Sequence, residues 1–136
     1  MRETEINATA SAELFVSPTD LASALSLEAA DSYPPVFSTS RMVALMEIAA
    51  SRVLRPLLAP GEQSVGVSVD VAHTAATPVG VKVTATARYL GRERKLFVFE
   101  VIARDPGGEI GRGTHKRAVV STERLLAGAD RRNKSI

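Results

Sequence analysis

Thr39 and Glu47 lie eight residues apart in FSTSRMVALMEIAA, His73 closes the run SVGVSVDVAH, and His115 and Arg117 alternate in GRGTHKR. A hydroxyl can attack an electrophile or hold a water that does so. An imidazole can take the proton released, and a carboxylate can serve as a base or orient one. Gly66 interrupts a run of valines, and a glycine inside a strand often marks the close approach of another group. Its bare backbone N–H could polarise a carbonyl.

Each of these residues also has a plainer reading. Thr39 or Ser40 is placed to cap a helix, and a capping hydroxyl is already engaged with backbone N–H. Glu47 falls about 100° from the centre of an apolar helical stripe, where a solvated carboxylate is ordinary. However, no basic residue occupies positions 43, 44, 50 or 51 to pair with it. His73 falls in step with Val71 and so points to the apolar face, as a hydrogen-bonded core histidine or as a general base. His115 reads as an exposed strand histidine. Arg117 shares its face and could meet an anionic partner.

The elements that carry these residues follow from periodicity. Met42, Leu45, Met46, Ala49, Ala50, Val53, Leu54 and Leu57 recur at helical spacing, and Pro56 predicts an end near Arg55. This is the one long helix expected. AELFVSP reads as a short strand stopped by Pro18, and Asp20 could cap a short helix after it. Tyr33, Pro34 and Pro35 force an extended or turning segment. Four strand-like runs follow the long helix. Val65, Val67, Val69 and Val71 share one face of the first, and Val81, Val83, Ala85, Ala87 and Tyr89 share one face of the second. KLFVFEVIAR is apolar on both sides, and EIGRGTHKRAVVST is irregular. GRER and DPGG are good hairpin turns. Strand, helix and a four-stranded antiparallel meander leave one packing, a sheet curled around a central helix. This is the α+β arrangement called the hotdog. A lone protomer would leave a sheet edge and a pocket open, so a dimer is expected.

Composition limits the function classes. The 136 residues suggest a single domain, with 1–10 and 127–136 as flexible tails. With no cysteine and two histidines, disulfides are excluded and a metal site is not expected. A net charge of +2 and 4% aromatic residues give no case for nucleic acid. The basic stretches GRERK and GADRRNKSI read as a polar turn and a solvated end, although a phosphate-rich ligand could use either. No apolar stretch approaches the roughly 20 residues that span a bilayer. The polar N-terminus lacks a secretory pattern, so cytoplasmic residence is expected.

FSTSRMVALMEIAA, GEQSVGVSVDVAHTAATPVGVKVTATA and EIGRGTHKRAVV together resemble the fluoroacetyl-CoA thioesterase family of hotdog enzymes. The similarity runs from about Val36 to Thr122, and HTAATP is its most specific part. The resemblance implies hydrolysis of an acyl-CoA thioester by Thr39, Glu47 and His73, with no cofactor beyond the CoA of the substrate. It also implies that Gly66 binds the carbonyl and that Arg117 lies in the substrate site, and His115 and Tyr33 are further candidates for binding the substrate. The family pattern places two phenylalanines ahead of the helix, over the acyl group. Here those positions read Ala30 and Tyr33, so a broader or different range of small or medium acyl groups is expected. A non-catalytic acyl-CoA binding module and a hydratase or dehydratase of the same fold are the alternatives.

Helix geometry adds a constraint. Eight residues rise about 12 Å, so Thr39 cannot touch Glu47 of its own chain. The expectation is a site at a homodimer interface, with Thr39 facing Glu47 or His73 of the partner. A histidine base near its ordinary pKa of about 6.5 predicts activity that falls on the acid side.

Overall fold

The computed structural model describes residues 5–134. Strand β1 (Thr9–Phe15) leads through short 3-10 turns at Pro18–Asp20 and Ala22–Leu25 to helix α1 (Thr39–Leu54). Strands β2 (Glu62–His73), β3 (Lys82–Glu93), β4 (Leu96–Asp105) and β5 (Gly108–Ser121) follow, then helix α2 (Thr122–Asn133). The strands form one antiparallel sheet in the order β1-β3-β4-β5-β2. The sheet packs on α1, which touches all five strands, and this is the hotdog arrangement. Among the described residues no helix is long and apolar enough to cross a membrane.

The core is the helical stripe laid on alternate strand residues. Met42, Leu45, Met46, Ala49, Ala50, Val53 and Leu54 are buried in α1. They meet Val83, Ala85, Ala87 and Tyr89 of β3 and Phe97, Phe99, Val101 and Ala103 of β4. Gly111 of β5 lets the helix come close, since a Cβ there would stand 2.6 Å from the Met42 sulfur.

Several expectations need correction. β1 begins at Thr9, three residues before the expected run, and Thr9 and Ala10 pair with Arg88 and Ala87. They are not part of a tail, and residues 1–4 of the expected tail lie outside the described residues. At the other end, Thr122–Asn133 is a helix rather than a loose tail, and residues 135–136 lie outside the described residues. Ser121 caps α2 by accepting from Arg124 N–H, with Glu123 in its first turn and Arg131 and Arg132 in its last. The β3–β4 turn sits at Arg94–Lys95, at the end of GRER rather than its centre, with Arg94 at φ 59.

The valines of β2 do not share one face. A bulge between Gly66 and Ser68 pairs Gly66 with Arg117 but Ser68 with Lys116. Val65 then faces Ala118, and Val69 faces His115, three positions apart on β5 and so on opposite sides of the sheet. β2 is also an edge, bonded to β5 alone.

Asp20 does not cap a helix. It is buried at the end of the first 3-10 turn. Ser17 N–H and Oγ each donate to Oδ2 at 2.9 Å, and Arg41 Nε donates to Oδ1 at 2.9 Å. Burial acts to raise the Asp20 pKa, but the Ser17 and Arg41 donors outweigh it and hold the group below its ordinary 3.8. Ser38 N–H donates to the Asp20 carbonyl at 3.0 Å, which ties this turn to the start of α1. Asp20→Ala should cost roughly 2–3 kcal/mol in urea unfolding, because it orphans donors gathered on one ionised acceptor. A loss below about 0.5 kcal/mol would class the Arg41 contact with ordinary surface ion pairs.

Candidate active site

The N-terminus of α1 and the C-terminus of β2 meet. Phe37 N–H donates to the Thr77 carbonyl at 2.8 Å, pinning the residue before the helix to the β2–β3 connection. Ser38 is the N-cap, and its hydroxyl accepts from Arg41 N–H at 3.1 Å. Thr39 is therefore the first residue of the helix and not its cap, contrary to the expectation that Thr39 or Ser40 would fill that place. Its hydroxyl is free for other use, and Oγ1 lies 2.8 Å from His73 Nδ1.

His73 is half-buried as the last residue of β2. Burial lowers its pKa below the ordinary 6.5, with an opposing backbone contribution from Ala75. Its Nε2 is buried with no hydrogen-bond partner among the described residues. The ring lines a depression of about 270 Å³ with Val36, Thr74, Ala75 and Ala76. The small side chains after His73 are thus the wall of a recess.

The other candidates gather elsewhere. Glu47 projects from the flank of α1 over Gly66, where an added Cβ would stand 3.1–3.2 Å from its carboxylate atoms. The bulge turns Gly66 toward the helix, and its bareness makes room for that carboxylate. No partner on α1 was expected for Glu47, and none is needed, since Arg117 of β5 reaches it with Nη1 at 3.3 Å from Oε2. Arg117 is 5% exposed and is held by Ser64, with Nε at 3.0 Å from Oγ and Nη2 at 2.9 Å from the carbonyl.

His115 is 1% exposed, which overturns the reading of an exposed strand histidine. Its Nδ1 lies 2.9 Å from the Ser68 carbonyl, and its Nε2 lies 3.1 Å from Arg117 Nη1. Sequence reasoning placed His115 and Arg117 on one face but could not see that both are buried. Glu47 and Arg117 line a second depression of about 360 Å³ with Ser40, Val43, Ala44, Ile48 and Ser51. Tyr33 is half-exposed ahead of α1 and lines neither depression.

The protomer thus carries two clusters, Thr39–His73 and Glu47–Gly66–Arg117–His115. The helix separates Thr39 from Glu47 by about 12 Å, and β2 separates His73 from Gly66 by about 20 Å. Of the two expected arrangements, Thr39 facing His73 of a partner is set aside, because Thr39 meets His73 of its own chain. Among the described residues no three His, Asp or Glu side chains converge as metal ligands would.

Comparison with known proteins gives a consistent picture. A family described as fluoroacetyl-CoA-specific thioesterase matches residues 16–123. The fluoroacetyl-CoA thioesterase of Streptantibioticus cattleyicolor is 47% identical over 95 residues, which are 70% of this chain and 68% of that one. A solved structure of a fluoroacetyl-CoA thioesterase superposes with a TM-score of 0.88 at 38% identity, covering 96% of this chain and 98% of its own. A single-residue variant of such an enzyme, in complex with fluoroacetate and CoA, gives 0.84 at 39% identity over 89% and 98% of the two chains. A hypothetical protein of Thermus thermophilus, a thioesterase superfamily member, gives 0.88 at 27% identity over 98% and 96%.

Proposed function

The chain belongs to the fluoroacetyl-CoA-specific thioesterase family and is an acyl-CoA thioester hydrolase, and from this premise we propose that Thr39 and His73 of one protomer work with Glu47 of a second. The observation that carries the assignment is the 2.8 Å contact between the Thr39 hydroxyl and His73 Nδ1, made possible because Ser38 takes the cap. Thr39 Oγ1 attacks the thioester carbonyl carbon as its proton passes to His73 Nδ1. The C–S bond breaks and CoA departs as a thiolate, a good leaving group that needs no strong acid. The departing thiolate takes the proton from His73. The neutral ring then takes one from water as the water oxygen adds to the acyl carbon. His73 returns that proton to Thr39 Oγ1 as the ester C–O bond breaks, which releases the free acid. Gly66 of the partner subunit, which lies beside Glu47 on that chain, is assigned as the backbone donor to the developing oxyanion, with the Arg117 guanidinium there offsetting the carboxylate charge.

Glu47 is too far to serve the His73 of its own chain. When Nδ1 accepts from Thr39, Nε2 carries a hydrogen. That atom has no acceptor among the described residues of its own protomer, which covers it, so an outside acceptor requires the covering residues to shift on pairing. Glu47 of the partner subunit is assigned as that acceptor. Support for pairing comes from the edge strand β2, twelve residues long, with Val67 53% and Val69 40% exposed. Ala30 and Tyr33 point to a small or medium acyl range wider than fluoroacetyl.

Thiol release from acetyl-, fluoroacetyl-, longer and aromatic acyl-CoA, measured on the wild type and on Thr39→Ala, tests the reading. A burst of thiol marks the acyl-enzyme. Tight binding with no thiol release from any ester would make the protein a binding module instead. The pH profile tests the assignment of Glu47. Burial lowers the His73 pKa, and a carboxylate at Nε2 opposes that shift. Activity should fall on the acid side as His73 protonates, and Glu47→Gln should move that limb to lower pH. A limb that stays in place would remove Glu47 from the neighbourhood of His73.

A further inference from the structure

His115 is not required by this mechanism, yet it is among the most completely buried polar side chains, and both its ring nitrogens are engaged. The chemistry of its partners fixes its state. The Ser68 carbonyl can only accept, so Nδ1 carries the hydrogen. Arg117 Nη1 can only donate, so Nε2 offers its lone pair. An imidazolium has no lone pair for a guanidinium, so this geometry requires the neutral ring.

We propose that His115 is a positioning residue, a neutral imidazole locked as the Nδ1–H tautomer that aims Arg117 at Glu47. The inference rests on the assignment of Glu47 to the reacting site made above. Arg117 uses four of its five N–H groups on Ser64, Glu47 and His115, and the Nη1 nitrogen is shared between the carboxylate and the ring. That sharing sets the plane of the guanidinium. Without the acceptor at Nε2, Nη1 loses one of its two anchors, and Glu47 is free to leave its place over Gly66.

On balance the surroundings disfavour the charged ring. Facing it are the Arg117 cation on its own strand, the Glu47 carboxylate on α1, the neutral Phe99 on β4 with ring centroids 6.5 Å apart, and the Ser68 carbonyl on β2. Burial is the main cause that lowers its pKa and the Arg117 cation adds to it, and together they outweigh the Ser68 carbonyl and the Glu47 carboxylate, which act to raise it. Acid would nonetheless protonate His115, break the Arg117 contact and disturb Glu47. The acid limb of kcat should therefore contain two ionisations, His73 and His115, and approach a slope of 2.

The test uses two variants and one spectrum. In His115→Gln the amide oxygen can accept from Arg117 but cannot titrate, whereas His115→Phe fills the space with no acceptor. His115→Phe should lower kcat at least tenfold with KM changed less than threefold, and His115→Gln should recover most of that loss with an acid limb of slope 1. Equal losses in the two variants, or an unchanged limb in His115→Gln, would overturn the proposal. Nitrogen-15 NMR of the wild type without substrate, assigned against His115→Gln since the chain has two histidines, should show a neutral Nδ1–H ring at pH 7. An Nε2–H or doubly protonated ring would overturn the proposal whether or not the variants fold. Failure of the thioesterase reading shows elsewhere, as absence of thiol release by the wild type.

Discussion

His73→Ala is expected to lower kcat toward acyl-CoA esters by about 10²–10⁴, equivalent to roughly 3–5 kcal/mol of transition-state stabilisation. The magnitude follows from removing both the acceptor for the Thr39 proton and the base for water. The fold should survive. His73 ends a strand rather than filling its centre, and its Nε2 makes no hydrogen bond among the described residues. The thermal midpoint should therefore move by only a few degrees. Thr39→Ala and the double variant Thr39→Ala/His73→Ala should lose little more than His73→Ala alone, because paired groups acting in one step are not additive. Steady-state kinetics with one acyl-CoA ester across the three variants settles this. A His73→Ala enzyme within about threefold of wild type would mean that the base lies elsewhere.

Mixing two inactive chains should restore activity. If each site draws Thr39 and His73 from one protomer and Glu47 from the other, a heterodimer of His73→Ala and Glu47→Ala chains holds one intact site and one doubly damaged site. Random pairing makes about half of all dimers mixed, so about one quarter of wild-type turnover should return. Co-expression with two affinity tags isolates the mixed species, whose activity should be about half that of wild type. No recovery in a purified mixed dimer would place the whole site within a single chain. The separation of the two clusters along both α1 and β2 makes this a sharp test.

Much of the fold could be read from periodicity because burial repeats regularly. The stripe from Met42 to Leu54 and the alternation from Val83 to Tyr89 are both buried as expected. What was illegible has physical causes. A bulge adds one residue to one strand, and the valines around Gly66 give no sign of which residue is extra. Helix α2 has only Leu125 and Leu126 as large apolar residues, both exposed and adjacent, so no apolar stripe announces it, although Ser121 ahead of Glu123 with arginines at the far end was a usable signal. Thr39 was placed at the helix start, but its freedom depended on whether Ser38 took the cap, and neighbouring hydroxyls compete for that role. The contacts of Glu47 with Arg117 and of Asp20 with Arg41 join residues far apart in the chain. Local spacing says nothing about such pairs.

The two rims of the sheet differ in reach. β2 offers twelve residues of backbone on one side, whereas β1 on the other offers seven. Copies that join through like rims about a two-fold axis consume both long rims at once and leave a short one at each extremity. Such a geometry stops at two, while joining unlike rims would extend without limit into a fibre. If copies pair through β2 as proposed, the inequality of the rims would favour a closed pair over open polymerisation.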